Sequence, residues 1–319
     1  MKIVYVGGMT ISAKILETLC DSNEIPCHVF GYPPSQHYRS NYCSFDHLAN
    51  EYHFPLTETT DINSPKVERI VKNADPDWMM VFGWSQLVNK SIYSLPRYGT
   101  LGLHMTKLPE GRGRAPIPWT LIKGKTEGAV TLFWLTSGAD EGDIVSQRTF
   151  PVSKFDDAQT LVDRVGEISC DLVKEMLPKL KKGTLPKLPQ DHSSSSYWPT
   201  RKPEDGFINW STPIQDIYNL VRGVTSPFPG AFTKMEGEKI FLWNVGILET
   251  GKDTRHKPGA IIGPYRTHGS NPTTGLAIAA EGGILICNSI QIGDGKPIKN
   301  IELYDLAIRW NGKSFDSSN

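Results

Sequence analysis

The sequence predicts an α/β chain: a doubly wound, mostly parallel sheet followed by a small antiparallel β domain, OB-like. Three observations predict it. Short unbroken runs of β-branched and aromatic residues recur through the first half, as in KIVYV and WMMVFGW, and such runs suit strands buried on both faces. Helical segments separate those runs, and strands alternating with helices imply a parallel sheet covered on both sides. Beyond residue 206 the apolar runs follow one another with mostly turns between them, which is the antiparallel pattern.

The first strand is KIVYV (2–6), and Gly7-Gly8 makes the turn after it. Ser12 is placed to cap a helix running to about Cys20, with Ile15 and Leu19 four apart on one face. PCHVFGY (26–32) is the second strand, and residues 45–53 are helical. WMMVFGW (78–84), TLGLH (100–104) and GAVTLFWL (128–135) are further strands. Residues 156–182 form one long amphipathic helix, because Leu161, Val165, Ile168, Leu172 and Met176 recur at three- and four-residue steps. Lys179, Lys181 and Lys182 crowd its end, where the helix dipole favours cations, and read as a solvated terminus.

Composition then shifts. KKGTLPKLPQDHSSSSYWPTRKPEDG is rich in Pro, Ser and Gly, so residues 1–185 are read as one domain, 186–206 as a linker and 207–319 as the second domain. In the second domain a helix at about 213–223 precedes the strands AFTKM, KIFLWNVGIL, AIIG, LAIAA and GILICNSIQI, and INW is a short strand before it.

With 319 residues, two domains are the natural expectation. Lys plus Arg balance Asp plus Glu at 34 each, which argues against broad binding to nucleic acid or to an anionic membrane. The five cysteines are odd in number and form no Cys-x-x-Cys pair, so neither a disulfide framework nor a metal site is expected, and the thiols suit a reducing, cytoplasmic setting. No run of about 18 apolar residues is present, and the N-terminal apolar run is too short for a signal peptide. The Gly7-Gly8 turn invites a dinucleotide site. Yet GGMTIS is not G-x-G-x-x-G and no acidic residue ends the second strand, which argues against a nicotinamide enzyme.

Ligands of open α/β sheets bind beyond the carboxyl ends of the strands. The 100–104 strand delivers His104 to that edge, and the 128–135 strand runs into TSGADEGDIV with Asp140, Glu141 and Asp143. A lone strand-end histidine is more often structural, and a lone Asp in a Gly-rich loop is usually turn chemistry. At adjacent strand ends of one sheet the two make an acid–base pair. Asp140 would hold the imidazole, and His104 would take a proton from an attacking amine or support an oxyanion. Ser85 and Thr106 are the nearest hydroxyls, and neither sits in a nucleophile elbow, so direct transfer between bound donor and acceptor is expected.

HMTKLPEGRGRAPIPWTLIKG followed by VTLFWLTSGADEGDIVSQ resembles the signature of the 10-formyltetrahydrofolate-dependent formyltransferases, most of all the nucleotide-sugar N-formyltransferases, which are related to methionyl-tRNA formyltransferase. FGWSQLVNKSIYSLPRYGTLGLH and INWSTPIQDIYNLVRGVTSPFPGAF extend the resemblance over nearly the whole chain. It implies catalysis by His104 and Asp140. The family's asparagine, two residues before the histidine, falls on Gly102. Either another donor serves (Gln86, Lys107, a backbone amide or water), or the chain is a non-catalytic folate- or nucleotide-binding paralogue.

The resemblance further implies a folate site at Phe82, Trp84, Leu87 and Gly138, with Trp84 equally a plain core residue. SSSSYWPTRKPEDGFINW is similar to a segment of the nucleotide-sugar enzymes. It implies that Tyr197, Trp198 and Arg201 approach a base and diphosphate, with a structural staple as the alternative. Arg112 and Arg114 either meet the diphosphate or anchor their own loop. The tRNA reading needs an arginine-rich early insertion, whereas YPPSQHYRSNYCSFDH holds only Arg39. The expectation is therefore transfer of a formyl group from 10-formyltetrahydrofolate to the amine of a nucleotide-linked amino sugar, for surface polysaccharide biosynthesis. Folate and nucleotide sugar are the expected partners, with no metal, nucleic acid or membrane, and a homodimer stays open.

Overall fold

A computed structural model of the chain describes residues 1–248, 256–267 and 274–316. The chain divides into two compact units: residues 1–116, 126–153 and 160–200, and residues 117–125, 154–159 and 201–319. Residues 186–200 of the stretch expected to be a linker thus pack within the first unit, and two short segments from the first half belong to the second.

The first unit opens with β1 (Ile3–Val6), α1 (Thr10–Asp21), β2 (His28–Gly31), α2 (Asp46–Tyr52), β3 (Leu56–Glu58), α3 (Pro65–Ala74), β4 (Trp78–Val81), α4 (Lys90–Tyr93) and β5 (Gly99–His104). Then follow β6 (Arg112–Gly113), β7 (Glu127–Trp134), β8 (Ile144–Pro151), α6 (Ala158–Lys182), which lies in this unit from Thr160 on, and β9 (Tyr197–Trp198), while α5 (Pro116–Ile122), between β6 and β7 in sequence, belongs to the second unit from Ile117 on. Seven strands form one sheet in the order β3-β2-β1-β4-β5-β7-β8. The pairs from β3 to β5 are parallel, and every residue of β1 and β4 is buried, as their unbroken apolar runs require.

Two details of this sheet differ from the sequence reading. First, β7 and β8 run antiparallel to their neighbours. The carboxyl end of β7 lies opposite Leu101, near the start of β5, so Asp140 reaches His104 through a returning loop and not from an adjacent strand end. A buried strand such as β7 reads as apolar in either direction, so periodicity does not report its sense. Second, Ser12 does not cap α1 from outside. It sits within the first turn, where its hydroxyl oxygen accepts from the Gly8 and Met9 amides at 3.0 and 2.8 Å. This close approach explains Gly7, because a Cβ there would stand 2.7 Å from Ser12 Cβ.

Behind the sheet, Trp78 is fully buried between the rings of Tyr98 and Trp134, at 5.3 and 5.7 Å. Its indole donates to the Leu180 carbonyl of α6 at 3.1 Å. The polar handle of a large buried ring is thereby satisfied.

In the second unit α7 (Ile214–Val224) precedes β10 (Ala231–Met235), β11 (Glu238–Leu248), β12 (Ile261–Arg266), β13 (Thr274–Ala280), β14 (Gly283–Ile292), β15 (Ile298–Lys299) and α8 (Asn300–Trp310). The strands pair antiparallel in the order β10-β11-β14-β13-β12, with β15 added to β14. Trp210, Leu242, Leu276, Leu285 and Leu303 are buried in its core. INW adds no strand of its own; only Phe207 makes an isolated bridge, to Phe232.

Candidate active site

Strand alternation puts Gly102 and His104 on the same face of β5. Opposite them on β7 lie Phe133 and Thr131, in register. His104 is 6% exposed, and both ring nitrogens face oxygen atoms. Nε2 is 2.8 Å from the Gly111 carbonyl, and Nδ1 is 3.5 Å from Asp140 Oδ2. That same Oδ2 accepts from the Gly113 amide at 2.8 Å. The pair is therefore built from two chain segments that both reach the end of β5, the 111–113 turn and the 136–142 loop. Asp140 itself has φ +57°, a left-handed conformation uncommon among non-glycine residues, though aspartate is one of those that enter it.

Several contacts hold it. Gln190 donates through Nε2 to the carbonyls of Asp140 and Gly142 at 2.9 and 2.7 Å. Gly138 has no room for a side chain, because a Cβ there would overlap the Glu141 carboxylate. Tyr197 donates to that carboxylate from the other side.

A cavity of about 330 Å³ opens over His104 and Asp140. Gly102, Phe133, Trp84, Leu87, Gly138 and Arg114 are among its lining residues. Of the residues expected at a folate site, Trp84, Leu87 and Gly138 line it. Phe82 does not: it is buried in the core, edge-on to Tyr5 at 5.8 Å. Trp84 stacks flat on Tyr32, with centroids 3.8 Å apart, and its buried indole nitrogen has no hydrogen-bond partner.

The expected acceptor-side residues separate. Arg114 is exposed and lines the cavity. Arg112 is 1% exposed and absent from the lining: Nε and one terminal nitrogen donate to Gln190 Oε1 at 3.2 and 2.8 Å, and the other terminal nitrogen donates to Tyr197 at 3.2 Å. Trp198 is buried against Gly111 and Gly113, and β9, which carries it and Tyr197, pairs with β6. Arg201 belongs to the second unit, where its guanidinium lies over Trp119 at 4.9 Å and bonds the Asp205 carbonyl.

The space beside Gly102 holds no polar donor. It holds the ring of Phe133, whose Cζ would be 2.4 Å from a Cβ on residue 102. Of the substitutes expected from sequence, Lys107 bonds Glu127 at 2.7 Å, and Gln86, although it lines the cavity, donates its amide to Asp61 at 2.8 Å. Ser85 is engaged by Tyr32 and Arg39, and Thr106 donates to the Gly111 carbonyl at 3.4 Å. Among the described residues no hydroxyl or thiol is hydrogen-bonded to His104, and no group of three or more His, Cys, Asp or Glu is arranged to hold a metal. No helix among them is long and apolar enough to cross a membrane.

Sequence reasoning missed Phe133, Gln190 and Tyr32. Phe133 could have been found from strand pairing, had the antiparallel register of β7 been known. Gln190 sits in a Pro- and Ser-rich stretch that carries no periodicity.

Comparison with known proteins places the chain in a family. The family described as formyl transferase matches residues 5–177, and the formyl transferase C-terminal domain matches residues 201–305. The methionyl-tRNA formyltransferase of Geotalea uraniireducens is 31% identical over 299 residues, covering 93% of this chain and 91% of its own. Among solved structures, WlaRD, a sugar 3N-formyl transferase crystallised in the presence of dTDP and 5-N-formyl-THF, superposes with a TM-score of 0.64 at 16% identity, over 93% of this chain and 99% of its own. HypX from Aquifex aeolicus in complex with tetrahydrofolic acid superposes with a TM-score of 0.63 at 19% identity; it covers 94% of this chain, which spans 46% of HypX. The chain belongs to the formyl transferase family and is a formyltransferase.

Proposed function

We propose that this chain transfers a formyl group from 10-formyltetrahydrofolate to the primary amine of a nucleotide-linked amino sugar, giving an N-formylated sugar for surface polysaccharide. The observation that carries the reading is the pair of buried His104 and half-buried Asp140, 3.5 Å apart, in a cavity that also presents the exposed Arg114. In the transfer, the amine nitrogen bonds to the formyl carbon while the bond from that carbon to the donor nitrogen breaks. The amine loses a proton and the departing nitrogen gains one. The Gly111 carbonyl only accepts, so Nε2 of His104 holds the ring's proton and Nδ1 is the nitrogen left to take the first proton and return it, while Asp140, beside Nδ1, orients the ring and faces the charge it acquires.

The residues present fit a pterin-bearing donor. Trp84 and Leu87 give the cavity an apolar wall, and the 136–140 backbone lies along its edge. The unpartnered indole nitrogen of Trp84 is a spare donor beside that wall. The relatives HypX and WlaRD were solved with tetrahydrofolic acid and with 5-N-formyl-THF.

Charge supports the sugar acceptor. The stretch YPPSQHYRSNYCSFDH holds one arginine, and Arg39 is tied to Gln36 and Ser85, at 2.8 and 3.1 Å. That leaves little with which to grip a polyanion. A second reading, formylation of methionyl-tRNA, is favoured by the 31% identity to a methionyl-tRNA formyltransferase. The test is to incubate the protein with 10-formyltetrahydrofolate and, separately, UDP- and dTDP-linked amino sugars and charged initiator tRNA. A nucleotide sugar heavier by one formyl group supports the first reading. Formylated methionyl-tRNA alone supports the second, and neither product would sink both.

A further inference from the structure

Arg112 and Gln190 form a buried polar pair beneath the 136–142 loop, outside the cavity. Gln190 is 6% exposed and, like Arg112, is enclosed by protein. Its side-chain oxygen takes two guanidinium donors of Arg112, at 3.2 and 2.8 Å, which fixes the orientation of the amide. With the oxygen so held, Nε2 can only face the loop, where it bonds the carbonyls on either side of Glu141, those of Asp140 and Gly142. The same guanidinium donates to Tyr197, and Tyr197 donates to Glu141. His192 Nδ1 lies 3.2 Å from it and closes the set.

We propose that Arg112 and Gln190 are positioning residues that hold Asp140 against His104. Three features of the geometry carry this. Asp140 occupies a left-handed backbone conformation, uncommon for residues other than glycine. The amide nitrogen of Gln190 goes to the loop's main chain, with one of its two bonds on Asp140's own carbonyl. And a guanidinium is the only side chain that can hold one amide oxygen with two donors while also reaching Tyr197. Release of the loop lets the carboxylate leave both the imidazole and the Gly113 amide.

The inference rests on the formyl-transfer reading for its kinetic arm, so its test carries a second arm independent of activity. Gln190→Glu keeps an acceptor for Arg112, so the buried guanidinium stays paired, but removes the donor to the loop and sets a carboxylate against two carbonyls. In this variant kcat falls on the order of 100-fold, as expected for a misplacement of about 1 Å, while KM for the formyl donor is unchanged. In an Asp140→Asn background the same substitution has no further effect, because it acts through Asp140. Arg112→Lys, which keeps the charge but loses the double grip, gives the same pattern in weaker form.

Independently, the Gly113 amide proton, bonded to Asp140 in the wild type, shifts in the Gln190→Glu spectrum toward its position in Asp140→Ala. Losses that add in the Asp140→Asn background, or a Gly113 amide that does not move, would overturn the proposal. If the wild-type protein formylates neither acceptor, the function falls, and the Gly113 amide still decides the positioning role.

Discussion

The ring of Phe133 stands where a side chain on Gly102 would begin. The two residues face each other across β5 and β7, and a Cβ on Gly102 would lie 2.4, 2.7 and 3.0 Å from three ring atoms. The glycine and the phenylalanine are thus one packing unit. Substitution of Gly102 alone forces the ring to move. Gly102→Ala is expected to destabilise the fold by about 1–3 kcal/mol, the usual cost of overpacking. Gly102→Asn alone is expected to leave turnover no higher, because the amide cannot enter the space. Combined with Phe133→Ala, the same asparagine fits, and the two stability losses sum to less than their separate values. A thermal melt of the four proteins in the cycle measures the coupling; strict additivity would show that ring and glycine do not compete for one volume.

His104 and Asp140 differ in what their loss removes. His104→Ala deletes the group proposed to move the proton, and formyl transfer is expected to fall about 100- to 10,000-fold. Asp140→Asn keeps the shape but removes the charge that faces Nδ1, so kcat falls and KM for the formyl donor holds. Steady-state kinetics with saturating formyl donor separates the two effects. A His104→Ala variant with wild-type kcat would remove His104 from the mechanism.

The parts of this protein visible in its sequence were those that repeat or stand at an end. β1, β4 and β7 show as unbroken apolar runs, and α6 as a stripe of three- and four-residue steps. His104 shows as a polar residue closing a strand, and Asp140 as an acid in a glycine-punctuated loop. What stayed hidden depends on partners distant in sequence. The sense of β7 is set by its neighbours, not by its own residues. For Arg112 the sequence left two roles open, meeting a diphosphate or anchoring its own loop; its side chain is buried against Gln190 and Tyr197, which lie 78 and 85 residues away. Phe82 continues the apolar run of β4, which does not reveal whether its ring faces the cavity or Tyr5.

Two arginines expected on the acceptor side, Arg114 and Arg201, differ in exposure, and so do the consequences of removing them. Arg114 is exposed, lines the cavity and has no side-chain partner among the described residues. Arg114→Ala is therefore expected to leave stability unchanged and to raise KM for an anionic acceptor by about 10- to 100-fold, the value of one or two charge-assisted bonds. Arg201 is held over Trp119, and burial depresses the pKa of its guanidinium. Arg201→Ala is expected to lower the melting temperature through lost packing. Acceptor KM and thermal melts of the two variants check this. An Arg114→Ala protein with unchanged acceptor KM would exclude that side chain from substrate binding.

The thiols give a prediction with a defined pH sign. All five cysteines are free. Burial raises Cys20 to about 11 and Cys287 to about 12, and it also raises Cys27, Cys43 and Cys170. A raised thiol pKa means that folding disfavours the thiolate. Stability from this source is complete below the unfolded value of about 8.5 and is lost as pH rises toward the folded values. At pH 8 only about one Cys20 in a thousand is thiolate, so alkylation by iodoacetamide is expected to be slow on every cysteine of the folded protein and fast on all five in denaturant. Raising the pH from 8 to 10 is expected to lower the melting temperature, and substituting Cys20 or Cys287 by Ala to blunt that fall. Rapid alkylation of a single thiol at pH 8 in the native protein would identify a reactive cysteine that this burial does not allow.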